Sequence, residues 1–261
     1  MLISKLLFLL IGGLVSGILA GFLGIGGGTV LVPLQIALGN TPVQSVATSS
    51  FAIVITAISG SIQNWRMGYL SGKRVILLGL PAVITAQLGV EIAARVPAYI
   101  LLTAFGLLLL LNIYLVEVRK RIANREASTE GKFNPVVARI FTGGTAGILA
   151  GLFGVGGGII MVPLQILLLA EKIKVAIQTS LGVIIITAIS ATIGHTVKGN
   201  ILWTDGLILG IGGLAGAQIS TRFLPKLPDP IVSLAFRTLL ALLSIYIFWQ
   251  AWQAWQAFVS I

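Results

Sequence analysis

The chain has 261 residues, of which 57% are hydrophobic and only 9% are charged, and its mean hydropathy is +1.05. Soluble domains carry roughly 25% charged residues, so the composition excludes a water-soluble fold and predicts an all-α integral membrane protein. With no cysteine and one histidine, His195, neither disulfides nor a metal site is expected, and the net charge of +10 fits topogenic loops or an anion path.

The first predicted element is an apolar segment at about residues 3–23, followed by a glycine-rich stretch at 24–28 and a short apolar piece at 29–38. A helix of about ten residues is only about 15 Å long, half the thickness of a bilayer core. The opening segment and the short piece are therefore predicted to form a Gly-broken helix or a re-entrant hairpin. Three predicted spanning helices complete this unit, at about 44–64, 74–94 and 98–117.

The second half of the chain repeats the first. The stretch GFLGIGGGTVLVPLQ at residues 21–35 returns as GLFGVGGGIIMVPLQ at 151–165. Further on, TSSFAIVITAIS at 48–59 returns as TSLGVIIITAIS at 179–190. Because the apolar N-terminal segment also has an internal copy, it is predicted to be structural and not a cleaved signal peptide.

The repeat divides the chain into a first membrane repeat (1–118), a basic cytoplasmic linker (119–135) and a second membrane repeat (136–261). We expect about eight to ten membrane segments in total. If the opening pair enters and returns on one side, each repeat crosses an odd number of times and the two copies are inverted. The inverted arrangement also places more lysines and arginines on one side than the parallel alternative does.

Each glycine-rich stretch is predicted to break its helix, because glycine costs about 1 kcal/mol relative to alanine inside a helix. The prolines at 33 and 163 predict that a new helix starts near them or slightly earlier. A helix start leaves N–H groups unpaired and presents the positive end of a dipole, which favours an anion. Two such starts are predicted to frame one central site. Close helix packing is the alternative reading, and neither copy continues into a nucleotide-binding loop.

Uncharged polar residues in or beside the spans complete the predicted site. The candidate substrate-binding residues are Gly26, Gly27, Gly28, Gln35, Thr48, Ser49, Gln87, Gly156, Gly157, Gly158, Gln165, Thr179, Ser180 and Gln218, with helix breaks at Pro33 and Pro163. Four further hydroxyl residues are predicted mainly to hold helices together: Thr56, Ser59, Thr187 and Ser190. Asn64, His195 and Arg237 are candidates for gating or a proton relay.

The acidic residues fall almost entirely in predicted loops or at span ends. This disfavours a cation transporter, and no constellation for hydrolysis is visible, so neither an enzyme nor a cofactor is expected. The aromatic tail with Trp249, Trp252 and Trp255 is typical of a membrane–water interface.

The two copies GILAGFLGIGGGTVLVPLQ and GILAGLFGVGGGIIMVPLQ, followed by ATSSF and QTSLG, resemble the sulfite exporter TauE/SafE family, also called TSUP permeases. The family's motif falls on two sets of positions: Gly24, Gly26, Gly27, Gly28, Pro33 and Gln35, and Gly154, Gly156, Gly157, Gly158, Pro163 and Gln165. The resemblance implies a carrier for sulfur-containing or organic anions.

We therefore expect a secondary transporter of small anions such as sulfite or sulfoacetate, in the cell membrane, working by alternating access. A passive anion channel, a non-transporting membrane subunit and a membrane-embedded enzyme are the alternatives. The expected partners are a small anion and the lipid bilayer, with no nucleic acid. Proton coupling and a homo-oligomer are left open.

Overall fold

A computed structural model describes residues 2–123, 134–171, 173–223 and 229–259. Every element in this part of the chain is a helix, which confirms the predicted all-α fold class. The ten helices are α1 (Leu2–Leu23), α2 (Gly28–Ala37), α3 (Pro42–Arg66), α4 (Gly72–Arg95), α5 (Ala98–Ala123), α6 (Pro135–Phe153), α7 (Gly158–Leu169), α8 (Ile173–Val197), α9 (Trp203–Phe223) and α10 (Asp229–Val259).

Six of these helices are long and apolar enough to cross a membrane, by length and composition: α1, α3, α4, α5, α6 and α8. The short apolar helices α2 and α7 have 10 and 12 residues. At 1.5 Å per residue they reach about 15 and 18 Å, roughly half the bilayer core. The chain is thus a multi-pass membrane protein with two half-length helices, as the sequence predicts.

Both half-length helices follow a sharp turn of the backbone. We call residues 24–27 the first break and residues 154–157 the second break. Gly27 and Gly157 cap α2 and α7 with φ of 78° and 76°, a left-handed conformation that favours glycine. The helices begin directly after these caps, so Pro33 and Pro163 lie inside them and not near their starts as expected. A proline inside a helix donates no backbone hydrogen bond, which weakens α2 and α7 in their middles.

The two repeats are interleaved. Helix α1 packs mainly along α9 of the other repeat, and α6 packs in the same way along α4. Helices α3 and α8 meet in the centre, where Gly60 near the end of α3 lies close to Leu181 near the start of α8. At the other end of this pair, the Leu202 N–H after α8 donates to Thr48 near the start of α3. The equivalent helices α3 and α8 therefore run in opposite directions, which is consistent with inverted copies.

Helices α5 and α10 form a separate layer. Their most extensive contact is with each other, and their inner faces cover the two breaks. Leu102 and Phe105 of α5 belong to one apolar cluster with Ile25 of the first break and Phe153 before the second. The remaining eight helices form what we call the bundle, and we call the outer layer the α5–α10 pair.

Ion pairs lie at both ends of the bundle. The Glu91 carboxylate contacts Arg95 at 2.6 Å and Lys198 at 2.8 Å, and Arg74 contacts Glu171 at 3.1 Å. Arg74 and Arg95 are about 30 Å apart along α4, one bilayer core, at 1.5 Å per residue. Both Arg95 and Lys198 are thus at one membrane face and Arg74 is at the other, as the inverted arrangement requires.

The domain boundaries remain a prediction. Helix α5 continues to Ala123, beyond the predicted end of the first repeat at residue 118. Most of the predicted linker, residues 124–133, lies outside the described part of the chain. Helix α6 begins at Pro135, one residue before the predicted second repeat.

Candidate functional site

The two breaks lie against each other, backbone to backbone. A Cβ built on Gly28 would lie 2.2 Å from the carbonyl oxygen of Gly154, and one on Gly158 would lie 2.3 Å from that of Gly24. Real Cβ contacts are longer than 3.0 Å, so only glycine allows this approach. The starts of α2 and α7 thereby meet in the middle of the protein. Gly28 and Gly158 therefore allow close packing, which is the alternative role considered for the glycines.

Each break accepts a hydrogen bond from one serine of the opposite repeat. The Ser49 hydroxyl on α3 donates to the Gly154 carbonyl at 2.7 Å, and the Ser180 hydroxyl on α8 donates to the Gly24 carbonyl at 2.7 Å. Both serines are completely buried. The predicted site thus includes these residues, but their hydroxyl hydrogens are engaged with the breaks. A direct bond from either serine to a substrate stays a prediction.

Removing either of these serine–carbonyl hydrogen bonds should destabilise the protein. We expect Ser49→Ala and Ser180→Ala each to lower the free energy of unfolding by about 1–3 kcal/mol, because a buried carbonyl loses its partner. Ser50→Ala is the matched control, since the Ser50 hydroxyl donates to the Val46 carbonyl of its own helix. Thermal unfolding of the purified variants measures the difference. Equal melting temperatures for Ser49→Ala and Ser50→Ala would show that the bond from Ser49 to Gly154 does not stabilise the protein.

Two further carbonyls of the breaks also accept bonds from hydroxyls. Ser16 on α1 donates to the Gly27 carbonyl at 2.9 Å, and Thr187 on α8 donates to the Gly156 carbonyl at 3.0 Å. Within α2, the N–H groups of Val30 and Leu31 return to the Gly27 carbonyl. The N–H groups that precede this ladder have no partner within the helix. Because these carbonyls already accept hydrogen bonds, the N–H groups of the helix starts are the polar groups that can still bind a ligand.

The electrostatics of this region favour a negative charge. The residues from 12 to 35 and from 142 to 165 contain no charged side chain. Two helix N-termini point their positive ends at the same place, and each stabilises a nearby anion by about 0.3–1 kcal/mol or more when desolvated. The arrangement can therefore bind an anion without a buried cation.

Gln87 and Gln218 bind serines and not the breaks. The Gln87 amide donates to the Ser190 carbonyl and hydroxyl at 2.6 and 2.8 Å. In the other repeat, the Gln218 amide donates to the corresponding atoms of Ser59 at 3.1 and 3.0 Å. Both bonds join helices of different repeats, so in this structure the two glutamines hold the bundle together. The predicted packing role of Ser59 and Ser190 agrees with these bonds.

Gln35 and Gln165 are both buried, near the far ends of α2 and α7. The Gln165 amide donates to the Ala176 carbonyl at 3.3 Å. Gln35 instead accepts a bond from Asn40 at 2.5 Å, and its own amide nitrogen is buried without a partner in the described residues. Asn40 lines a cavity of about 470 Å³ between α2 and the α5–α10 pair, together with Tyr246 and Gln250. Gln35 does not line this cavity, and its contact with it is the bond to Asn40.

The structure does not bring Asn64 and His195 together. Asn64 and His195 are buried near the ends of α3 and α8, which run in opposite directions, so they are at opposite ends of the bundle. His195 contacts the Gly151 carbonyl at 3.3 Å. Arg237 lies on α10, and Thr56 bonds to the Ala52 carbonyl of its own helix. A gating or relay role for Asn64, His195 and Arg237 stays a prediction.

Ser16, Thr29 and Asn40 belong to this region and are absent from the predicted set. The first two are polar where the second repeat has Ala146 and Ile159. These two positions are not polar in both repeats, so the repeat pattern does not identify them. Differences between the copies are the signal that could have found them.

The fold and the paired breaks define a class, a helical membrane transporter with two related halves, and the comparisons agree with it. The chain matches the family described as Sulfite exporter TauE/SafE over residues 9–247, and it belongs to that family. It is 26% identical over 238 residues to the "Probable membrane transporter protein YdhB" of Bacillus subtilis, covering 90% of this chain and 94% of the relative. It is 30% identical over 213 residues to the "Probable membrane transporter protein MJ0441" of Methanocaldococcus jannaschii, covering 78% and 76%.

Proposed function

We propose that this chain is a secondary transporter in the cell membrane. It carries small sulfur-containing oxyanions or sulfonates, such as sulfite or sulfoacetate, by alternating access. One observation carries the proposal: two helix N-termini meet at breaks whose carbonyls accept hydroxyl hydrogen bonds, in a region without charged side chains. The sulfur chemistry comes from the family to which the chain belongs.

The binding chemistry follows from the donors at the helix starts. Backbone N–H groups form strong bonds to an ionised oxygen, because one partner carries a full charge. A buried lysine or arginine would bind an anion more tightly, but a transported ion must also leave. Neutral donors and helix dipoles therefore suit a carrier, and they explain how an anion site can lack a buried cation.

The interleaved packing supports a proposal about which parts move. Each repeat packs mostly against the other, through α1 with α9 and α4 with α6. A rocking motion of one repeat against the other would break both of these contacts. The α5–α10 pair has fewer contacts with the bundle and covers both breaks. We therefore propose that access alternates by movement of the α5–α10 pair over the bundle.

Transport by the purified protein tests this function. We expect liposomes containing the full chain to take up sulfite in a saturable manner, with counter-flow of unlabelled sulfite accelerating the uptake. Sulfate, thiosulfate, sulfoacetate and acetate, each with and without a pH gradient, define the substrate range and the coupling to protons. Liposomes with Gly28→Ala protein, in which the breaks are pushed apart, provide the protein control.

Each alternative function has its own outcome. Flux that rises linearly with concentration and shows no counter-flow would identify a passive anion channel. Absence of flux with every anion, from protein shown to be folded, would contradict transport and favour a membrane subunit. Chemical conversion of an added anion would indicate an enzyme, whereas the relatives are named as membrane transporters.

A further inference from the structure

The two breaks share their geometry but differ in polarity. In the first, Thr29 follows Gly28 at the start of α2, and Ser16 packs against the glycine cap. The equivalent positions in the second repeat are Ile159 and Ala146, which carry no hydroxyl. The anion site framed by the two helix starts is therefore chemically one-sided.

The Thr29 hydroxyl makes no hydrogen bond to the described part of the chain. Its side chain is completely buried, and its hydroxyl oxygen has no hydrogen-bond partner among residues 2–123, 134–171, 173–223 and 229–259. Leaving a buried hydroxyl unpaired costs about 1–3 kcal/mol, and most such groups in folded proteins are paired. By contrast, the nearby hydroxyls of Ser16 and Ser49 both donate to backbone carbonyls. The Thr29 hydroxyl is thus a candidate donor to a ligand at the start of α2.

The position of Thr29 in the helix places its side chain toward the break. The Cα–Cβ bonds of an α-helix tilt toward its N-terminus. Thr29 is the second residue of α2, so its side chain leans toward the helix start, where the unpaired N–H groups are. A threonine hydroxyl can donate one hydrogen bond, and it carries no charge that would repel an anion.

Resting on the proposed transport function, we infer that Thr29 is a substrate-binding residue and that one small inorganic oxyanion binds at the start of α2. The Thr29 hydroxyl and the first N–H groups of α2 donate to its oxygens. The second break packs against this site and does not hold an anion of its own. Among the substrates proposed above, such a site favours sulfite over sulfonates with an organic tail.

The enclosure of the site sets the size of the ligand. Every residue from 21 to 33 is buried, and the opposite break approaches so closely that a Cβ on Gly28 would overlap it. Binding of an anion requires the two breaks to separate, and a compact oxyanion requires the smallest separation. A sulfonate with an organic tail would have to displace the backbone of the second break.

Anion binding to the purified full chain tests the inference, with sulfite, sulfate and sulfoacetate titrated separately by calorimetry. We expect Thr29→Val, which keeps the shape and removes the hydroxyl, to weaken sulfite binding about tenfold to hundredfold, the worth of one charge-assisted hydrogen bond. Thr29→Ser should bind within about threefold of wild type, since the donor is kept. The matched control is Ile159→Val, at the same position of the second repeat, and it should bind as wild type does.

Folding is checked by the melting temperature of each variant without anion. If Thr29→Val does not fold, Thr29→Ala removes the same hydroxyl without adding bulk. Sulfite should raise the melting temperature of wild type and of Thr29→Ser more than that of Thr29→Val or Thr29→Ala.

The outcomes separate this inference from the function on which it rests. Sulfite binding by wild type with equal binding by Thr29→Val would overturn the role of Thr29 and leave transport standing. Two anions per chain, or tighter binding of sulfoacetate than of sulfite, would overturn the one-sided compact site. Absence of binding and flux with every anion would overturn the proposed function itself.

Discussion

Gly28→Ala is expected to reduce anion flux about tenfold at subsaturating anion concentration and to lower the melting temperature. The added Cβ would lie 2.2 Å from the Gly154 carbonyl oxygen, which belongs to the backbone of the opposite break. Overpacking of this kind costs about 1–3 kcal/mol. If about half of the upper value destabilises the anion-bound state relative to the anion-free state, the affinity for the anion falls about tenfold. Gly158→Ala should act in the same way, since its Cβ would meet the Gly24 carbonyl oxygen at 2.3 Å.

The glycine experiment has a clean control in Gly72→Ala. Gly72 is the first residue of α4, and a Cβ there would meet nothing within 4 Å. Neither Gly28 nor Gly72 has a positive φ, so backbone strain does not distinguish them. Alanine also favours a helix by about 1 kcal/mol over glycine, so a loss at Gly28 must come from the overlap. Wild-type flux and melting temperature for Gly28→Ala would disprove the contact between the breaks.

A reversible tether between Phe105 and Phe153 should stop transport. The two rings lie 5.8 Å apart and connect α5 of the outer pair to the end of α6 in the bundle. The chain contains no cysteine, so Phe105→Cys with Phe153→Cys introduces the only thiols. A short thiol-reactive cross-linker should reduce flux to background, and cleaving it with a reductant should restore the flux. The physical reason is that the α5–α10 pair can no longer move over the breaks.

The matched tether joins Phe51 to Trp203, whose rings lie 5.0 Å apart within the bundle, between α3 and α9. Phe51→Cys with Trp203→Cys should keep its flux after cross-linking, because these helices move together. Full flux from the tethered 105–153 protein, with cross-linking verified by mass, would show that the outer pair is not the moving part. Loss of flux with both tethers would place movement inside the bundle.

Much of this fold depends on composition and short sequence motifs, and it could therefore be predicted from the sequence. Low charge and long apolar stretches required a membrane protein, because lipid excludes unpaired backbone polar groups and uncompensated charges. The duplicated glycine motif predicted two half-length helices, and α2 and α7 are such helices. Their starts were predicted less well. Proline at position 33 suggested a first turn, whereas the left-handed Gly27 ends the break and sets the start of α2.

The predicted site was a set of residue types, and their partners lie far away in the chain. Ser49 and Gly154 are 105 residues apart, Ser180 and Gly24 are 156 apart, and Gln218 and Ser59 are 159 apart. A polar residue in an apolar helix can face a substrate, a neighbouring helix or its own backbone, and helical periodicity does not distinguish these cases.

The sequence by itself determined the membrane class, the duplication, the two breaks and the absence of charge around them. These properties depend on composition and on short-range spacing, which each segment carries alone. Only the tertiary structure decided that the repeats interleave, that the serines bind the opposite breaks and that the Thr29 hydroxyl lacks a partner among the described residues. Those features depend on which helix faces pack together, and packing is set jointly by segments more than 100 residues apart.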